Sequence, residues 1–149
     1  MASGSSVSIS GGKDMTQVVA GDVIDDADFN NARTNVNTLM GTAADVTLGT
    51  FTATSTYGWG QGGAGVNAAS AGGLIYADNA TGGFKRLQDD VQAMCAFLGQ
   101  SVRAGVGTDV ADGDSITAAT WSNMMLNVQD CWDNRFSPAA RSTSTDSNQ

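Results

Sequence analysis

FNNARTNVNTLMG, residues 29–41, decides how this chain is read, because its pattern is written three times. Phe29, Ala32, Val36, Leu39 and Met40 stand at i, i+3, i+7, i+10 and i+11. That spacing lines one face of an α-helix of period 3.6. The same offsets starting at Phe84 give Leu87, Val91, Met94 and Cys95, with Leu98 one turn further. Starting at Trp121 they give Met124, Val128, Cys131 and Trp132. An aromatic opens each stripe and a valine follows seven residues later. The residue before that valine is Asn35, Asp90 and Asn127 in turn. Gly41 and Gly99 follow the first two stripes, where a left-handed C-cap is expected.

The approach to the helices repeats too. Gly21-Asp22-Val23-Ile24-Asp25 precedes the first, and Gly113-Asp114-Ser115-Ile116-Thr117 precedes the third, each Gly standing eight residues before the aromatic. The middle copy, Gly72-Gly73-Leu74-Ile75-Tyr76, has about four extra residues before Phe84. Three unrelated amphipathic helices would share the stripe but not the Gly-Asp-x-Ile approach, so the pattern reads as an internal repeat.

Helices are therefore expected from Asp25 as N-cap to Met40, from about Gly83 to Leu98, and from Ala118 to about Asp133 with Thr117 as N-cap. Residues 6–10, SVSIS, alternate polar and apolar, fitting either a short edge strand or an arm that joins a neighbour's sheet. Thr recurs at period two through residues 47–56, which read as one strand with Gly49 as a bulge. Residues 102–110 leave room for a further short strand. The expected class is α+β: three repeat-related amphipathic helices with short strands and glycine-rich loops. Residues 1–15 are Ser/Gly-rich and read as a flexible N-terminal arm, 16–140 as a single compact domain of three related segments, and 141–149 as a disordered tail.

All 15 acidic residues are Asp, the lysines are Lys13 and Lys85, and His is absent; the net charge is −8. That sign argues against nucleic acid or an anionic membrane as partner. No run of about 18 apolar residues is present, and the N-terminus has neither the basic nor the apolar region of a signal peptide. Without His there is no Ser-His or Cys-His nucleophile pair, and the common zinc sets are excluded. The chain reads as a non-enzyme with no cofactor. Residues 58–65 are glycine-rich but lack the Lys-Ser/Thr of a phosphate loop. Asp109, Asp112 and Asp114 have an oxygen-rich spacing, open to Ca²⁺ or to plain turn and cap duty. Cys95 and Cys131 lie on buried stripes and read as small hydrophobes, able to pair only if their backbones meet at the right distance.

Tyr57, Trp59 and Tyr76 fit a sugar-stacking platform or an interface. Tyr57, Trp59 and Gln61 in the loop, with Val7 and Ile9 in the arm, are the leading contact candidates.

At Gly21-Asp22-x-Ile24, Phe29-Asn30-Asn31, Asn35-Val36, Tyr57-Gly58-Trp59-Gly60-Gln61 and Gly113-Asp114-x-Ile116 to Trp121-x-Asn123, the chain resembles small virion structural proteins of marine tailed phages, cyanophages especially. Arg86 departs from the pattern where Asn31 and Asn123 stand. The resemblance implies a structural subunit of a virion, made in the host cytoplasm. Its partners would be other virion proteins and copies of itself, in a capsid-decoration, neck or tail-fibre position. A carbohydrate-binding module on the virion surface is the alternative, and no catalytic residues carry over.

Overall fold

The computed structural model describes residues 2–40, 46–47, 50–51, 69, 71, 75, 83–111 and 113–135. Three helices form: α1 (Asp26–Met40), α2 (Gly83–Leu98) and α3 (Ala118–Asp133). Each packs on both of the others. Phe29, Val36, Leu39, Phe84, Val91, Met94, Trp121, Val128 and Trp132 are all buried, so the stripes meet as one core.

The helices run in the same direction. Phe29, Phe84 and Trp121 all stand in first turns, and their rings form one layer: Phe84 and Trp121 stack at 5.5 Å between centroids, and Phe29 lies tilted against Trp121 at 6.4 Å. At the opposite end Cys95 and Cys131 bring their sulfurs to 3.7 Å. Gly12 is wedged there between α1 and α3. A Cβ on it would fall 2.8 Å from the Asn35 Oδ1 and 3.0 Å from the Trp132 ring. Parallel helices of this length, about 23 Å, need a return segment before each one.

The first return segment descends the groove between α3 and α1. β1 (Ser6–Val7) pairs antiparallel with β2 (Met15–Thr16), Ser6 opposite Thr16 and Val7 opposite Met15. Val7 and Ile9 are each only 2% exposed. The expected arm is therefore corrected over residues 2–15: SVSIS finds its strand partner in its own chain, and its apolar face fills the groove. Farther out, the Ala2 amide donates to Asp28 and the Ser3 amide to Asp22. The segment that precedes α3, residues 99–111 and 113–117, descends between α2 and α3. It forms turns rather than a strand, with Val106 and Val110 inserted into the core.

A second strand pair joins β3 (Val46–Thr47) to β4 (Thr50–Phe51) with Thr47 opposite Thr50. The chain reverses between them, which replaces the single strand expected from residue 47 onward. The mixed α+β class holds. The glycine-rich run at 58–65, the tail 141–149 and the C-terminal boundary at 140 lie outside the described residues.

The two closely matched approaches fold alike. Gly21 and Gly113 both take positive φ, 96° and 91°, a region that disfavours side chains. The Asp22 amide donates to the Val19 carbonyl and the Asp114 amide to the Ala111 carbonyl, each at 3.0 Å. In return the Asp22 and Asp114 carboxylates accept from the Val19 and Ala111 amides, each at 2.9 Å. Three residues after the first acid, Asp25 caps α1 by accepting from the Asp28 amide. Thr117 caps α3 by accepting from the Thr120 amide. Ile24 and Ile116 both pack half-buried against the core.

Candidate functional site

Amide side chains on the helices hold the loops that lie against them. A loop backbone without strand partners must satisfy its N–H and C=O groups in some other way. Asn35 does this for Lys13, accepting from its amide at 2.8 Å and donating to its carbonyl at 2.7 Å. Asn127 accepts from the Arg103 amide and donates to the Ser101 carbonyl, each at 2.9 Å. These two residues occupy the same place, six after the opening aromatic.

A second kind of clamp reaches from each helix to the return segment of the next helix in the ring. Ser122 of α3 both accepts from and donates to the backbone of Val18, which leads toward α1. Asn30 of α1 does the same for Ala69, which leads toward α2. Gln88 of α2 accepts from the Val110 amide and donates to the Thr108 carbonyl on the way to α3. Val18 and Val110 each stand eleven residues before the next helix's aromatic, and Ala69 fifteen. The extra four match the surplus read in the middle approach.

Among the described residues five polar side chains are buried: Asn35, Gln88, Asp90, Ser122 and Asn127. Four of them serve as clamps. Asp90 is the exception. It takes the position of Asn35 and Asn127 in α2, with the Arg86 Nε 3.6 Å from its Oδ1. Burial pushes its carboxyl up to about 6, opposed by the Arg86 charge and reinforced by neighbouring Asp89.

Several other described acids are held as structural partners. The Val19 amide and then Ser3 keep the Asp22 carboxyl below its ordinary value. Hydrogen bonding from Gln92 and then the Lys85 charge do the same for Asp109. Desolvation raises Asp28. Of the proposed calcium ligands, Asp109 faces Gln92 and Lys85, Asp114 closes its own turn, and Asp112 lies outside the described residues. Among the described residues no group of three or more His, Cys, Asp or Glu side chains is gathered for a metal ion.

The contact candidates divide. Tyr57, Trp59 and Gln61, together with Tyr76, lie outside the described residues. Val7 and Ile9 sit in the core, and their place as surface contacts is withdrawn: the groove between α3 and α1 buries the face a neighbour would need. Among the described residues the exposed large hydrophobics are Val19 at 49%, Val23 at 70% and Val102 at 40%. Val19 and Val23 flank the Gly21-Asp22 turn, where the α3 approach has Ala111 and Ser115. That difference between otherwise matched approaches was the available signal for them. The clamp roles of Asn30, Gln88 and Ser122 had a fainter one, helices rich in amides and lacking Glu.

No helix among the described residues is long and apolar enough to cross a membrane. Comparison with protein-family models, curated proteins and solved structures gives no match to this chain.

Proposed function

We propose that this protein is a non-enzymatic structural subunit of a phage virion, built from three copies of one return-segment-plus-helix unit and acting through assembly with itself and other virion proteins. One observation carries the reading. Among the described residues, motif positions behind the resemblance to marine phage virion proteins serve architecture. Gly21 and Gly113 turn the chain, Asp22 and Asp114 close those turns, Phe29 and Trp121 form the aromatic layer, and Asn30 and Asn35 hold loops. A motif whose polar atoms bind the chain's own backbone marks a scaffold. The shared clamp register supports descent of the three units from one. Val19 and Val23, with the Tyr57 to Gln61 loop, are the contact elements this reading assigns, since exposed apolar groups on a small subunit suit an interface.

Native mass spectrometry of the purified chain, alone and with virion extract, tests the proposal. The expected result is a homo-oligomer or a defined complex with virion proteins. A stable monomer at micromolar concentration that binds no virion protein would reject it. Loss of glycan binding in Trp59→Ala with assembly intact would favour a carbohydrate-binding role instead.

A further inference from the structure

We propose that Cys95 and Cys131 form a redox-sensitive pair, which a peroxide-class oxidant closes into an intramolecular disulfide tying α2 to α3. Several observations converge on it. The sulfurs are 3.7 Å apart across the helix interface, within reach of each other's lone pairs. A disulfide needs them at about 2.0 Å, a closure that side-chain torsions at two adjacent helices can supply. The chain has 2 cysteines, so neither has a competing partner within the molecule. Both stand in the last turn of their helices, α2 ending at Leu98 and α3 at Asp133. Last turns open more readily than helix centres, which gives a small neutral oxidant its way in to an otherwise buried pair.

The two thiols are not equivalent. Hydrogen bonding from Cys131 lowers Cys95, while the same contact and burial raise Cys131. Asp130 disfavours both thiolates, and Arg103 favours that of Cys95. Either thiol can open the reaction; with Cys95 as nucleophile, Cys131 is the resolving thiol. The Cys95 thiolate attacks one peroxide oxygen, giving a sulfenic acid and a hydroxide that is protonated to water. The Cys131 sulfur then attacks the Cys95 sulfur. Its proton leaves with the displaced hydroxide as a second water. Two thiols are oxidised and one peroxide is reduced. In a reducing cytosol the pair stays open, and in an oxidising medium it closes.

The test uses the intact, folded chain treated with hydrogen peroxide, freed of excess peroxide, and then unfolded in urea containing iodoacetamide. Expected are loss of both alkylatable thiols, a proteolytic fragment linking Cys95 to Cys131, monomers on a non-reducing gel, and full recovery of both thiols with dithiothreitol. The oxidised form should also melt roughly 5–10 °C higher, because the crosslink restricts the unfolded chain. Two thiols still alkylatable after treatment would overturn the proposal. So would irreversible sulfinic acid at either cysteine, or disulfide-linked dimers in place of the internal bond.

Discussion

α1 and α3 hold the buried place before their central valine with an amide, while α2 holds it with a carboxylate. Asn35 and Asn127 each satisfy one backbone donor and one backbone acceptor and bring no charge into the core. Asp90, once ionised, can only accept, and its burial raises the carboxyl to about 6. The same fold position therefore stabilises two units independently of pH and makes the third pH-dependent. A small, charge-poor protein can pin long loops with neutral amides at little desolvation cost. Replacing one amide by an acid adds a cost that Arg86 offsets only in part.

The largest expected effect breaks the comparison at its shared layer. Trp121 touches both Phe29 and Phe84, so Trp121→Ala should destabilise the bundle by about 3–5 kcal/mol in urea unfolding. Next come the amides. Asn35→Ala and Asn127→Ala each leave a part-buried backbone donor and acceptor without its side-chain partner, and each should cost about 1–2 kcal/mol. Equal costs would confirm that the two positions do the same work, and a cost near zero for either would separate them.

The acid is expected to behave in the opposite sense. The Asp90 carboxyl is raised in the folded state, so the folded protein binds its proton more tightly than the unfolded chain. Its favourable contribution is complete below the ordinary carboxylate value of 3.8 and is lost as pH rises through about 6. Asp90→Asn should accordingly stabilise the protein by about 1–2 kcal/mol at pH 7.5, a gain that fades toward pH 4. Denaturant titrations of both proteins across that range supply the check, and a pH-independent difference would contradict this account of Asp90.

The smallest effect concerns the turns. Gly21→Ala and Gly113→Ala place a side chain at positive φ with no neighbour to clash, so backbone preference alone sets the cost, about 1 kcal/mol for each. Matching shifts in thermal unfolding would sharpen the likeness of the two approaches.

Much of this was legible in the sequence. Stripe spacing located all three helices and their buried faces, Thr117 announced its cap, and Gly99 its left-handed C-cap at φ 67°. The course of the return segments was not legible, because clamps join residues far apart: Ser122 meets Val18 and Trp132 meets the Ser10 carbonyl across more than a hundred positions. Composition also misled. Residues 1–15 read as an arm because Ser and Gly dominate, yet Val7, Ile9 and Met15 suffice to seat the segment in a groove that exists only once α1 and α3 have met. Likewise the period-two threonines showed strand tendency but not the reversal between Thr47 and Thr50.

Backbone hydrogen exchange tests the central claim most directly, namely that helix side chains, standing in for strand partners, hold the return segments in place. The amides of Lys13, Val18, Ala69, Arg103 and Val110 lie outside every helix and strand, yet each donates to a helix side chain. They should exchange as slowly as amides in the helix centres, and Asn35→Ala should release Lys13 selectively. Exchange of these five within roughly tenfold of an unstructured peptide would contradict the account.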